Sequence, residues 1–273
     1  MNLAQALAAG SRLGLERLDA QLLLLHALGR PDSDRAWLLT HDNDALPEAS
    51  RLAFLSACER RAGGEPVAYI VGRKEFFGLD LHVDSRVLVP RPDTETLVQW
   101  ALEVVGDESR VVDLGTGSGA IALAIKQQRP GARVEAIDAS RDALQVAAAN
   151  ADRLGLEAEF RQASWLSGTD ARYHLIVSNP PYVACGDPHL AGLKHEPVQA
   201  LESGPDGLSD LRIIIAQAPR RLRPGGWLLL EHGWDQASAV RALLDAAGFS
   251  SVGSRRDLAG IERCSGGQWL ELG

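Results

Sequence analysis

Asn179-Pro180-Pro181-Tyr182 are the residues of this chain best suited to chemistry. They follow Tyr173 to Ser178, an apolar run that reads as a buried strand. Neither proline has an N–H for a sheet ladder, so the chain must leave the sheet there. The result is a stiff corner at the carboxyl end of a strand, the end at which open α/β sheets bind ligands. Asn179 brings a side-chain carbonyl, Pro180 a backbone carbonyl with no competing N–H, and Tyr182 an aromatic face. Such a corner suits a planar NH2 group, either a carboxamide or the amino group of a nucleobase. An amide nitrogen is a poor nucleophile because its lone pair is delocalised into the carbonyl. If Asn179 and Pro180 each accept one of its N–H bonds, the lone pair is held facing an electrophile, with Tyr182 stacked on the amide or walling off water. Alignment of that kind removes roughly 7–11 kcal/mol from a barrier.

A second constellation, Asp113-Leu114-Gly115-Thr116-Gly117-Ser118-Gly119, joins a predicted strand to a predicted helix. Glycines let the backbone turn tightly and let a ligand come close, and the helix start offers free N–H groups. Nicotinamide, flavin and S-adenosylmethionine binders all share a Gly-x-Gly loop. Here the third glycine of the dinucleotide spacing is missing, and Ala120 stands in its place. Asp113 would attract an amino-acid ammonium group and repel a pyrophosphate. Asp138 ends the next strand, about 20 residues beyond the loop, where a carboxylate accepts from ribose hydroxyls. Its bland alternative is the N-cap of the helix starting at Arg141.

The elements that position these residues follow from periodicity. Residues 1 to about 72 read as helices, with a wide leucine face over Glu16 to Leu28. Ser33 or Asp34 can cap a short helix, and Pro47 suits the first turn of one running to about Arg61. Glu75 to Asp84 alternates around Gly78, as a hairpin does. From Arg110 the chain repeats strand, turn and helix. Strands are expected at 111–114, 133–138, 157–160, 173–178, 227–231, 250–254 and 268–272. Helices are expected at 120–128, 141–154, 208–222 and 237–247. This alternation predicts a parallel sheet covered on both faces. Gly266-Gly267-Gln268 reads as a hairpin turn entering the last strand.

Composition narrows the function. The net charge is −8, which argues against non-specific nucleic-acid binding while leaving a local basic patch open, and residues 1–85, with 9 Lys/Arg against 12 Asp/Glu, are not a basic nucleic-acid arm. Cys58, Cys185 and Cys264 are too few and too scattered for a disulfide framework or a Cys-x-x-Cys zinc site. No metal is expected, and a reducing cytoplasm is the simpler setting. Met1 to Ala9 lacks a basic start and a long apolar segment, so no signal peptide is expected. No apolar run approaches the length that spans a bilayer. Cys185 has no partnered base and reads as an inert thiol; His232 reads as a residue satisfying a backbone group. Phe76 and Phe77 read as hairpin packing, and Arg91 as either a domain bridge or a substrate contact.

The N-terminal helices, the hairpin, Val89-Pro90-Arg91-Pro92-Asp93-Thr94-Glu95, the Gly loop and the Asn-Pro-Pro-Tyr corner occur in that order. Together with Glu196-Pro197, Ala200-Leu201, Asp206-Gly207-Leu208 and Glu231-His232-Gly233, they resemble the bacterial release-factor glutamine methyltransferases, the HemK/PrmC family. The corner alone is shared with adenine and cytosine methyltransferases; the Pro-Arg-Pro-Asp-Thr-Glu stretch is far more specific. The resemblance implies an α/β fold: a doubly wound, mostly parallel seven-stranded Rossmann-like methyltransferase sheet, with a small N-terminal helical domain and a connecting β-hairpin. The expected domains are 1–72 for substrate recognition, 73–91 as hairpin linker and 92–273 for methyl transfer. The implied reaction moves a methyl group from S-adenosylmethionine to the side-chain nitrogen of the glutamine in a release factor's Gly-Gly-Gln loop. By position, Asp113, Gly115, Thr116, Gly117, Ser118 and Gly119 would serve the methionine moiety, Asp138 the ribose and Trp165 the adenine. Asn179, Pro180, Pro181 and Tyr182 would hold the glutamine, with Asn179 also reaching the cofactor. Ser164 departs from the family, which often has Asp there; an uncharged serine accepts more weakly from the adenine amino group. A cytoplasmic monomer with no direct nucleic-acid or membrane contact is expected. The alternatives are a glutamine methyltransferase of a large-subunit ribosomal protein and a DNA adenine amino-methyltransferase, which would need a basic target domain and base flipping.

Overall fold

The computed structural model describes residues 1–270. Two compact units divide the chain: one comprises Met1–Arg73 and Gly192–His195, and the other runs from Lys74 to Ala191 and again from Glu196 onward. The first unit is helical, built from α1 (Leu3–Arg12), α2 (Arg17–Ala27), α3 (Arg35–Thr40), α4 (Glu48–Ala62) and α5 (Val67–Val71). Asn2 and Gln5 start α1 with a reciprocal pair of side-chain to backbone bonds, a capping box. Leu23, Leu24 and Leu25 of α2 are all fully buried, packing with Leu3, Leu38 and Phe54. The wide leucine face expected from sequence is thus the centre of this unit's core.

In the chain that follows, β1 (Arg73–Phe76) and β2 (Leu79–His82) form a two-stranded sheet, the predicted hairpin. A short 3-10 turn at Pro92–Thr94 leads into α6 (Glu95–Val104). The main sheet then assembles from β3 (Arg110–Leu114), β4 (Arg133–Asp138), β5 (Glu159–Gln162), β6 (Tyr173–Ser178), β7 (Leu222–Glu231), β8 (Ser250–Arg256) and β9 (Glu262–Trp269). Between these strands run α7 (Ala120–Gln128), α8 (Arg141–Leu154), α9 (Ser209–Gln217) and α10 (Ala237–Ala246). Strand order is β5-β4-β3-β6-β7-β9-β8. All pairs from β5 to β7 are parallel, and only β9 runs against its neighbours.

Side-chain alternation covers the sheet on both faces, as a parallel sheet requires. Val111, Leu175, Val177 and Leu229 join one core with Leu97, Ile121 and Leu123. Val112, Leu114, Ile176 and Leu228 join a second core with Leu211, Ile214 and Val240. Phe76 is buried in the first of these, so it packs as the sequence implied. Among the described residues, no helix is long and apolar enough to cross a membrane.

Several boundaries differ from expectation for identifiable reasons. The helix expected over 208–222 ends at Gln217, and Pro219 takes the chain through a 3-10 turn. Strand β5 lies two residues later than expected, where an edge strand pairs only with β4 and alternation is weak. Gly266-Gly267-Gln268 is not a hairpin turn: it lies inside β9, which pairs with β7 and β8 on its two sides. The last strand expected at 268–272 therefore starts earlier, and its final residues lie outside the described part of the chain. The glycines are there for closeness. A Cβ on Gly266 would meet Leu229 Cδ2 at 2.5 Å and the Leu228 carbonyl at 2.6 Å, and one on Gly267 would meet Phe249 Cβ at 2.8 Å. Gly266→Ala is expected to lower the unfolding free energy by about 1–3 kcal/mol through overpacking, read from denaturant unfolding.

Candidate active site

The sheet reverses direction of growth between β3 and β6, and ligand sites of doubly wound sheets open at that point. Leu114 pairs with Ile137 on one side and Ser178 on the other, and Ser178 pairs with Leu230. The next residue of each strand's chain is Asp138, Gly115, Asn179 and Glu231. Four polar or turn-forming positions thus stand in one row along the carboxyl edge of the sheet. Ser178 Oγ donates to the Leu114 carbonyl at 2.7 Å, a lock between the two central strands.

The Gly loop folds toward β4. Gly115 and Thr116 N–H both donate to the Ile137 carbonyl, at 2.8 and 3.0 Å. Gly117 N–H donates to Asp138 Oδ2 at 2.9 Å, and Ser140 N–H to Asp138 Oδ1 at 2.8 Å. Burial raises the Asp138 pKa, opposed by these backbone donors. Helix α8 is capped by the Ser140 side chain, which accepts from Ala143 N–H, so Asp138 is not its N-cap. Gly115, Gly117 and Gly119 all have left-handed φ values, +69°, +56° and +85°, that side chains rarely adopt. A Cβ on Gly115 would sit 3.4 Å from the Trp165 ring, whereas at Gly117 the space is open. Trp165 itself has φ +51°, a strained value for an aromatic residue.

A cavity of about 310 Å³ opens over this row. Its wall brings together Gly115, Thr116, Gly117, Ser118, Asp138, Ser164, Trp165, Asn179 and Pro181. Asp113, Gly119, Pro180 and Tyr182 are not part of the wall. Asp113 is fully buried: its Oδ2 accepts from Thr116 Oγ1 at 2.6 Å and from Ala122 N–H at 3.2 Å, and its Oδ1 has no partner. Burial pushes its pKa up to about 7. Asp113 thus bonds the Thr116 side chain and the first turn of α7, away from the cavity wall. Gly119 is the residue before α7, with Leu123 and Ala147 close to where a Cβ would lie. Tyr182 donates to Glu231 Oε1 at 3.3 Å, and its carbonyl accepts from Gln236 Nε2 at 3.0 Å.

The stretch Val89 to Glu95 is held at nearly every residue. Val89 N–H donates to Glu196 Oε2 at 3.1 Å, and Arg91, which lines the cavity, pairs with the other oxygen of the same buried carboxylate. Asp93 pairs with Arg263 at 3.2 Å, and Glu95 Oε1 accepts from Phe77 N–H at 3.1 Å. Thr94, buried and in the cavity wall, accepts from Asn179 Nδ2 at 3.4 Å. Its hydroxyl is also the group that most opposes the rise in the pKa of Glu231, which burial pushes up to about 7. Sequence reading assigned no role to Thr94, Glu231 or Asn150. The last is wholly buried on α8, where its Nδ2 donates to the carbonyls of Ser118 and His82. For Glu231 a signal existed: an acid closing the apolar run Trp227 to Leu230. The bland readings of two other residues agree with their surroundings. Cys185 is an exposed free thiol, and His232 bonds Ser265 Oγ at 2.8 Å and the Gly233 carbonyl at 2.9 Å.

Two family models match, a methyltransferase small domain over residues 92–196 and a PrmC N-terminal domain over residues 2–72. A release factor glutamine methyltransferase of Xylella fastidiosa is 52% identical over 96% of this chain and 97% of its own length. One from Burkholderia pseudomallei is 49% identical over 93% and 92%. The chain belongs to the release factor glutamine methyltransferase family. Solved methyltransferases share the fold. One from Pyrococcus furiosus matches with TM-score 0.57 and 19% identity, over 78% of this chain and 97% of its own. A T. thermophilus 16S rRNA methyltransferase matches with TM-score 0.53 and 20% identity, over 72% and 49%.

As a member of that family the enzyme uses S-adenosylmethionine, and the cavity is built for such a group. It has open space over Gly117, a half-buried carboxylate at Asp138, an aromatic wall at Trp165 and enough volume for a small-molecule site. Among the described residues no cluster of His, Cys, Asp and Glu could hold a metal ion.

The two buried carboxyls, Asp113 and Glu231, have a consequence for stability. Both keep their proton to higher pH folded than unfolded, so between the usual carboxylate range and about pH 7 the folded state binds more protons. Each therefore makes stability fall as pH rises through that window. Glu231→Gln, similar in shape and non-titrating, is expected to flatten the fall in the denaturation midpoint between about pH 5 and pH 7.5 relative to the parent chain. An identical pH slope in the variant would contradict the raised pKa.

Proposed function

We propose that this enzyme transfers a methyl group from S-adenosylmethionine to the side-chain amide nitrogen of the glutamine in the Gly-Gly-Gln motif of peptide chain release factors. The observation that carries the reading is the adjacency of the Gly loop and the Asn179-Pro180-Pro181-Tyr182 corner at neighbouring strand ends. They lie in a chain about half identical, over nearly its full length, to release factor glutamine methyltransferases.

S-adenosylmethionine supplies an electrophilic methyl group on a sulfonium. The backbone from Gly115 to Ser118 cradles its amino-acid part, and the buried carboxyl of Asp113 lies behind that loop, bonded to the Thr116 hydroxyl. The Asp138 carboxylate, oriented by Gly117 and Ser140 N–H, accepts from the ribose hydroxyls. Trp165 and Ser164 take the adenine. Asn179 Oδ1 accepts one N–H of the substrate amide and the Pro180 carbonyl accepts the other, so the nitrogen is fixed with its lone pair toward the donor. Pro181 closes the wall beside them, and Tyr182, anchored on Glu231, keeps the corner rigid. The work is alignment, for which neither a metal nor a covalent nucleophile is needed.

In this proposal residues 1–72 recognise the release factor, 73–91 link, and the remainder performs the transfer. The enzyme acts as a cytoplasmic monomer without direct nucleic-acid contact, and its net charge of −8 supports the last of these.

Incubation with methyl-labelled S-adenosylmethionine and purified candidate substrates, followed by mass spectrometry, tests the target. Label is expected on the Gly-Gly-Gln glutamine; label confined to a ribosomal protein or to DNA would overturn the proposal. Asn179→Ala is expected to slow single-turnover methylation by about 100-fold or more while S-adenosylhomocysteine still binds, since misplacement of a reacting group costs on that order. Near-normal turnover by this variant would remove the corner from the mechanism.

A further inference from the structure

Asn150 is a carboxamide with 0% exposure on α8, whose other buried residues are Ala143, Leu144, Val146, Ala147 and Ala151. A buried amide costs stability unless its donors and its acceptor are paired. Here they are paired, and the bonds reach two separate segments. Oδ1 accepts from His82 N–H at 2.7 Å, while Nδ2 donates to the His82 carbonyl at 3.0 Å and to the Ser118 carbonyl at 2.9 Å. The direction of the amide is fixed, since an N–H needs its oxygen end and two carbonyls need its NH2 end. One side chain thus clasps the last residue of β2 by both backbone groups, as a neighbouring strand would, and grips the Gly loop with its remaining proton.

Ser118 is a residue that needs such a grip. It lies between Gly117 and Gly119, whose φ values are +56° and +85°. A segment flanked by two glycines has a wide choice of conformations when nothing restrains it. Each of its peptide groups is restrained from a different side. Gly117 N–H is held by Asp138, Gly119 N–H donates to the Thr116 carbonyl at 2.9 Å, and the Ser118 carbonyl is held by Asn150. Ser118 belongs to the cavity wall and Asn150 does not. Just beyond β2 the chain reaches the same wall at Arg86, Val87 and Leu88.

We propose that Asn150 is a positioning residue for the cofactor, which keeps Gly117–Gly119 in the shape that receives S-adenosylmethionine and couples that loop to the hairpin. A loop ordered in advance loses less freedom when its ligand arrives, so the ligand binds more tightly. Coupling is reciprocal, so a ligand in the loop must steady the backbone of His82 as the hairpin steadies the loop.

The role given to Asn150 rests on the reading that the Gly loop holds the cofactor. Asn150→Asp keeps the shape and the acceptor for His82 N–H and removes both donors. Its affinity for S-adenosylhomocysteine, read by calorimetry on the folded variant, is expected to fall about 10- to 100-fold, the scale set by losing hydrogen bonds to buried carbonyls. KM for S-adenosylmethionine is expected to rise in parallel, with kcat at saturating cofactor within about threefold, because the corner that holds the substrate amide is untouched. Gly266→Ala, a destabilised variant outside the cavity wall, is expected to bind as the parent does. In the parent chain, saturating S-adenosylhomocysteine is expected to slow hydrogen exchange at the His82 amide more than at the amides of α10, a measurement that needs no variant to fold. Parent-like affinity in Asn150→Asp, an equal loss in Gly266→Ala, or unchanged exchange at His82 would each overturn the proposal. Gly117→Val places a side chain in the open space over the loop. Parent-like binding by that variant would instead remove the reading of the Gly loop, so the two failures are distinct.

Discussion

The pairing of β3 with β6 is the constraint on which the site depends. These strands are far apart in sequence and adjacent in the sheet, at the point where the order of strands reverses. Their register matches Leu114 to Ser178, so the loop after one and the corner after the other begin side by side. The same row extends to Ile137 of β4 and Leu230 of β7, which is why Asp138 and Glu231 join them. A strand advances about 3.3 Å per residue. A slip of two residues would keep every side chain on its face and still separate the donor loop from the acceptor corner by about two such steps. The bond from Ser178 Oγ to the Leu114 carbonyl, buried in that row, opposes such a slip.

The second layer of control is the Val89–Glu95 stretch. Its two prolines stiffen its path, while its side chains and the Val89 N–H reach in turn to Glu196, Arg263, Asn179 and the hairpin. A segment held at so many points has little freedom to carry Thr94 or Arg91 away from the cavity. That density of ties gives a physical meaning to a motif that, as letters, only signalled a family.

The polar groups at the site are bought with burial elsewhere. Asp113, Glu196 and Glu231 are all nearly inaccessible to water, and each holds backbone or side chains that border the cavity. Two apolar cores on the faces of the sheet provide the stability against which these costs are set.

Much of the fold could be read from the chain, because periodicity and turn residues are local signals. The bounds of β4, β6, α7 and α8 follow from runs of apolar residues and the Gly and Pro that end them. The Gly loop and the Asn-Pro-Pro-Tyr corner were recognisable for the same reason: each is one continuous segment with a distinctive composition. Where non-local packing outweighs local preference, sequence reading failed. Gly266 and Gly267 look like a turn, but they are strand residues because Leu229 and Phe249 leave no room for a Cβ. Nothing local in the sequence shows that the Asp113 carboxyl is buried and bonded to Thr116 and Ala122. Thr94, Glu231 and Asn150 carry no local mark of their partners, which lie 32 to 85 residues away along the chain. The sequence by itself determined which elements form and which segments carry chemistry. Only the tertiary structure decided which of their atoms face one another, because strand register and burial couple residues that share no local pattern.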